Sequence, residues 1–202
     1  MIISHKFKFI FIKTRKTAGT SVEVYLSSAC GENDIVTPII PHVEPHKARN
    51  YEDGGFFNHI SGAEIKSAVG DDTWNSYFKF CVERNPWDKT LSHYHMVNKR
   101  SNRGVSLDSY FRARDFPVDR DQYTDRSHKP MVDEILRYEN LDAELSRTFK
   151  RLGVPFSGDL GVRAKSDYRT DRRHYREILN PEQSNLIKEA FAKEIEWFGY
   201  EY

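Results

Sequence analysis

Residues 10–26 read IFIKTRKTAGTSVEVYL, an apolar run, a short polar turn and then an amphipathic stretch. The run Phe9-Ile10-Phe11-Ile12, within a strand read from Lys6 to Thr14, suits a strand buried on both faces of a parallel sheet. The stretch from about Ser21 to Cys30 has helical spacing, with Gly31 as its C-cap. Thr20-Ser21-Val22-Glu23 has the form of a capping box at its start. A turn between a strand and a helix lies at the carboxyl edge of the sheet, where open α/β sheets bind ligands. The helix start adds unpaired N–H groups and a partial positive charge. Lys13, Arg15 and Lys16 supply cations and Thr17, Thr20 and Ser21 supply hydroxyls, so the turn reads as an anion cradle. The alternative is a plain connection with solvated lysines. The glycine order differs from the nucleotide-triphosphate motif G-x-x-x-x-G-K-[ST], because Gly19 follows Lys16 and no glycine lies between Ile10 and Ala18.

The chain has 202 residues, 38% hydrophobic and 30% charged, which is the balance of a folded domain rather than a disordered segment. A net charge of +1 argues against a general nucleic-acid binder, although a local basic pocket is compatible with it. Cys30 and Cys81 sit in apolar stretches and read as buried free thiols. No second Cys or His stands at zinc-ligand spacing from either. The N-terminal apolar run is too short for a signal-peptide core or a membrane span, so the expectation is a cytoplasmic protein with no membrane partner.

Strands alternate with helices along the rest of the chain, which indicates an α/β domain around a mostly parallel central sheet flanked by helices. Residues 33–57 carry Pro38, Pro41, Pro45 and Gly54-Gly55 and read as an irregular excursion. Ser61 and Glu64 form a second capping box, with a helix from there to Gly70. Residues 76–84 read as a strand, 106–114 as a helix, and about 132–137 as a strand before a helix ended by Gly153. Asn180-Pro181 opens a last helix whose apolar stripe is Leu186, Ile187, Ala190, Phe191 and Ile195.

The second informative stretch is FKFCVERNPWDKTLSHY, residues 78–94. Arg84 ends a strand; Asn85 is an N-cap, Pro86 sits at the first helical position, and Asp88 lies in the first turn. Trp87, Leu91 and Tyr94 share one face and read as core. Ser92 lies about 10 Å into the helix at 1.5 Å per residue, within reach of a long arginine lying along it. Arginine with a hydroxyl makes a good phosphate clamp.

At these two stretches the chain resembles the sulfotransferases that use 3′-phosphoadenosine 5′-phosphosulfate (PAPS), in the branch of carbohydrate sulfotransferases of the heparan type and their bacterial and viral relatives. The loop P-K-T-A-G-T-S of that family corresponds to Arg15-Lys16-Thr17-Ala18-Gly19-Thr20-Ser21. Its R-[DN]-P-x-x-R-x-x-S-x-Y motif corresponds to residues 84–94. Residues 136–141 and the ending EWFGYEY also have the family's look, so the resemblance runs through most of the chain as one domain, 1–202, with a P-loop-like strand-loop-helix. Arg15 stands where proline is usual and Lys89 where arginine is common; both keep or add positive charge.

The resemblance implies transfer of a sulfuryl group to an acceptor hydroxyl, on a glycan or a small molecule, without a metal. It implies that Lys16 faces the bond that breaks, that Thr17, Ala18, Gly19, Thr20 and Ser21 with Arg15 hold the 5′-phosphosulfate, and that Arg84 and Ser92 hold the 3′-phosphate. It offers His59, before a helix, as the base; His42 and His46 are rivals on the loop, while His93 and His95 suit structural or acceptor-facing roles. Lys165, Tyr168, Arg169, Arg172, Arg173 and Tyr175 read either as a solvated loop or as a lid or glycan track. Lys99-Arg100, Arg103 and Arg112 to Arg114 suit an anionic glycan or a solvated face. Trp74 reads as core before adenine stacker. Two other function classes stay open: a nucleotide kinase or hydrolase, and a non-catalytic nucleotide- or glycan-binding module.

Overall fold

The computed structural model describes residues 1–101, 104–162, 164 and 168–202. These divide into two compact units: residues 1–83 with 119–164, and residues 84–118 with 165–202.

The first unit holds a five-stranded sheet in the order β3-β1-β2-β4-β5. Its strands are β1 (Ile2–Ser4), β2 (Phe9–Phe11), β3 (Ile35–Val36), β4 (Phe78–Glu83) and β5 (Glu134–Arg137). β2, β4 and β5 run parallel, in the register Phe11 opposite Phe80 and Val82 opposite Leu136. β1 pairs antiparallel with both β2 and β3. The alternation at Lys6-Phe7-Lys8 therefore belongs to a hairpin turn and not to a strand. The buried carboxylate of Asp34 explains why: it accepts the Ser4 hydroxyl at 2.7 Å and the N–H groups of His5, Lys6 and Gly31 at 2.8, 3.1 and 2.9 Å. Those backbone donors are taken from any continuing strand and fixed in the turn.

α1 (Gly19–Ala29) and α6 (Leu141–Leu152) cover the sheet. Val22 and Leu26 of α1 meet Phe9, Phe11, Phe80, Val82, Leu145 and Phe149 in one buried cluster. Burying one such side chain contributes about 1.5–3 kcal/mol, which lets a strand as short as β2 hold its place. α6 closes at Gly153, which takes the left-handed φ of 71° that a side chain resists. α2 (Gly62–Ser76) starts from the expected capping box of Ser61 and Glu64. Gly70, at φ 78° and ψ 163°, ends the first helical segment as expected, and a second one runs on to Ser76. Trp74 is buried, as its core reading requires. A short α5 (Arg120–Tyr123) follows Asp119.

The second unit is helical: α3 (Pro86–Arg100), α4 (Leu107–Ala113), α7 (Tyr175–Ile178), α8 (Pro181–Ala190) and α9 (Ala192–Phe198). Trp87 and Leu91 of α3 pack with Tyr110, Phe111, Tyr175, Ile187 and Phe191. The single last helix read from the sequence is two, because Phe191 departs from helical geometry at φ −105°, ψ 25°. Cys30 and Cys81 are free thiols, and burial pushes Cys30 up to about 12. Among the described residues, no helix is long and apolar enough to cross a membrane.

Candidate functional site

In the first unit β2 runs straight into the loop. Ile12 still bonds to Phe80 of β4 at 2.9 Å, and Thr14 donates to the Val82 carbonyl. The chain then makes two left-handed residues, Lys16 at φ 62° and Ala18 at φ 59°, before α1 begins at Gly19. Alternating left-handed residues turn successive N–H groups toward one side of the chain, the geometry of an anion nest.

The expected capping box is not formed. Ala18 is the N-cap and α1 has no side-chain cap, so Gly19, Thr20 and Ser21 carry the N–H groups that a helix start leaves to other partners. Glu23 is completely buried and turned away: its two oxygens take Lys13 Nζ, at 2.5 Å, and the Met1 ammonium. Burial alone would raise the Glu23 carboxyl, but the two ammonium groups hold it below its ordinary value. Lys13 is therefore a structural cation and not a donor to the cradle. Its stem lies where a Gly19 side chain would be: a Cβ built there comes within 2.8 Å of Lys13 Cγ. The glycine after the loop lysine answers to that close approach.

Arg15 is held by Asp119, whose buried carboxylate accepts its N–H and its Nε, each at 2.7 Å. Thr17 is fully buried and its hydroxyl faces inward onto Thr14, so it braces the loop from beneath. Ser21 accepts the Ala164 N–H at 3.1 Å. Lys16 and Ala18 are half-buried at the crest of the loop, and Thr20 is buried.

His59 belongs to the same unit. It takes φ 64° just before the Ser61 cap of α2, and its Nδ1 lies 2.9 Å from the Lys13 carbonyl. A carbonyl only accepts, so Nδ1 carries the proton and Nε2 the lone pair. Burial, followed by the Lys13 charge, lowers His59 to about 4, so the ring is neutral at pH 7. Its rivals differ. His42 is exposed beside Glu44, and His46 is buried with Nε2 bonded to the Thr37 carbonyl. Glu64 is engaged in its cap.

In the second unit Asn85 caps α3, accepting the N–H groups of Trp87 and Asp88. Arg84 meets Asp88 one turn into the helix, where the sequence pointed to Ser92 two turns in: Nε and Nη2 reach Asp88 Oδ2 at 2.8 and 2.5 Å. Arg169 donates to the other Asp88 oxygen, so one carboxylate joins two guanidiniums. Burial pushes Asp88 up, but Arg84 and Arg169 bring it below the usual carboxylate range. Ser92 is half-buried on α3. Tyr175 is buried against Trp87, with its hydroxyl 3.3 Å from Asn85 Nδ2, and is thus core rather than lid. His93 is buried on the Tyr110 hydroxyl at 2.8 Å and His95 is buried too. Lys99 lies 4.7 Å over the ring of Tyr168. Lys165 and Arg103 lie outside the described residues.

Sequence reasoning missed Asp119, which sits 104 residues from its partner with no motif around it. It also took Asp88 only as a first-turn helix acid.

No protein-family profile matches the chain. It is 34% identical over 125 residues to an uncharacterized protein of Archaeoglobus fulgidus, a match spanning 57% of this chain and 96% of that one. Its structure is similar to the crystal structure of mouse sulfotransferase SULT7A1 complexed with PAP, with a TM-score of 0.53 and 12% identity over 96% of this chain and 86% of the other. At that identity the likeness speaks for the fold. The chain belongs to the family of the Archaeoglobus fulgidus protein and has an α/β fold of the sulfotransferase kind.

Proposed function

We propose that the 202 residues act as one cytoplasmic sulfotransferase domain, moving a sulfuryl group from PAPS to an acceptor hydroxyl on a carbohydrate. The observation that carries this reading is the company the loop keeps: a double left-handed turn and an uncapped helix start, with a neutral histidine fixed on the Lys13 carbonyl at 2.9 Å. The mouse protein named above is described as complexed with PAP, the donor without its sulfuryl group, and this supports the choice of donor.

Each residue then has a defined task. The N–H groups of Gly19, Thr20 and Ser21, with the loop at Thr17 and Ala18, hold the 5′-phosphosulfate, and Arg15 borders it. Lys16 neutralises charge on the oxygen that leaves with the phosphate. His59 Nε2 takes the acceptor's proton as the new O–S bond forms and the S–O bond to the phosphate breaks. Arg84, with Ser92, holds the 3′-phosphate. The sulfuryl group carries less charge than a phosphoryl group, so this chemistry asks for no metal.

Thermal unfolding tests the donor. Adenosine 3′,5′-bisphosphate should raise the melting temperature far more than ATP does, and equal shifts would overturn the reading. Labelled sulfate should move from PAPS to a hydroxyl acceptor, with Lys16→Ala abolishing transfer in a folded protein. Tight binding of the bisphosphate with no transfer across a broad acceptor panel would instead mark a binding module. Magnesium-dependent turnover of ATP or GTP would mark a kinase or hydrolase.

A further inference from the structure

Lys13 touches the candidate site through three different groups. Its side chain is only 4% exposed, and its ammonium is anchored on Glu23 of α1. Its stem fills the space beside Gly19 at the helix start. Its carbonyl accepts the Nδ1 proton of His59. A residue read as one of the cradle's cations is thus the piece that joins strand end, loop glycine, α1 and histidine. The backbone on either side of that carbonyl is held against β4, by the Ile12 N–H on the Phe80 carbonyl and the Thr14 hydroxyl on the Val82 carbonyl.

We propose that Lys13 is a positioning residue for His59, its carbonyl deciding which ring nitrogen holds the proton and its anchored ammonium setting the charge that the ring faces. Two further charges bear on the ring. The Met1 ammonium acts in the same direction as Lys13, and Asp119, which is bonded to Arg15, acts in the opposite direction. Burial is the largest influence of all, and Lys13 is the largest of the charges. The consequence for turnover rests on His59 being the base; the state of the ring does not.

Nitrogen-15 NMR of histidine-labelled protein reads the ring directly, with His59→Asn assigning the signal. The wild-type ring should be the neutral Nδ1–H tautomer at pH 7 and should titrate at about 4. An Nε2–H tautomer, or a midpoint near the free imidazole value of about 6.5, would overturn the proposal. The double variant Lys13→Met/Glu23→Gln removes both partners of the buried pair together and keeps the stem. Its His59 midpoint should rise, but by less than in a variant that loses the Lys13 charge alone, because the opposing Glu23 charge goes with it. Lys13→Gln is the second variant and should move the midpoint the same way. An unmoved midpoint in a folded variant would make Lys13 packing alone. If PAPS is not the donor but the tautomer and the shift appear, the proposed function falls and this inference stands; the converse result separates them the other way.

Discussion

The buried carboxylate of Asp119 accepts two hydrogen bonds from Arg15, one from the backbone N–H and one from Nε. The first fixes the loop backbone one residue before its left-handed turn. The second holds the Arg15 side chain on the same carboxylate. Asp119→Ala should cost about 1–2 kcal/mol, since Asp119 is fully buried but the Arg15 side chain is a third exposed and partly screened. Urea denaturation of Arg15→Ala, Asp119→Ala and the double variant checks the pairing. Strictly additive losses would mean that the side-chain contact contributes nothing.

Gly19→Ala sets two effects against each other. Alanine is worth up to about 1 kcal/mol over glycine within a helix. Against this, the new methyl comes within 2.8 Å of Lys13 Cγ, on a stem whose end is held by Glu23 and cannot swing aside. Overpacking of this kind costs about 1–3 kcal/mol, so the net change should be destabilising. A folded variant at least as stable as wild type would refute the close approach.

His59 makes stability depend on pH. Its folded value of about 4 lies below its unfolded value of about 6.5. Between them the unfolded chain binds the proton and the folded chain does not, so stability falls as pH drops from about 6.5 to about 4. The full effect is up to about 3 kcal/mol at 1.36 kcal/mol per pH unit. His59→Asn suits the left-handed backbone and should flatten this window. An unchanged slope in denaturation midpoints from pH 7 to pH 4 would contradict it.

Asp88 acts lower on the scale. Its carboxyl is depressed in the folded state, so the stability it contributes is present above the ordinary carboxylate value and is lost as pH falls through the folded value. Asp88→Asn should remove that acid-sensitive part. Circular dichroism melts from pH 5 to pH 2 would show a shallower acid limb, and an identical limb would exclude the pair as its source.

Arg84 should discriminate between donors. Arg84→Ala should weaken adenosine 3′,5′-bisphosphate by about 10–100-fold, the worth of a charge-assisted contact, and change adenosine 5′-phosphate by about twofold or less. Calorimetric titration of both ligands decides it. Equal weakening would remove Arg84 from recognition of the 3′-phosphate.

Much of the fold was legible because its signals are local. Ser61 with Glu64, Asn85 with Pro86, and Asn180 with Pro181 announce helix starts from a few neighbouring residues, and each begins where it was read. Thr20 with Glu23 carried the same signal and failed. A buried Lys13 and the Met1 ammonium offered Glu23 more than a helix cap could, and no local pattern displays them. The first residues of the strand read from Lys6 were likewise lost to a turn around Asp34 and its four partners, while Phe9–Phe11 kept the strand.

By itself the sequence determined the parallel core strands, the loop that follows the second strand and the starts of α2, α3 and α8, and it pointed to Lys16, His59 and Arg84 as candidates. Periodicity, capping and turn chemistry act over a few residues, so they are written in the order of the chain. Only the tertiary structure decided which partner each charged side chain takes. Lys13 went to Glu23, Arg15 to Asp119 and Arg84 to Asp88, and His59 received its tautomer from a carbonyl 46 residues away. Charges choose partners by distance and burial in space, and a list of residue types does not contain those distances.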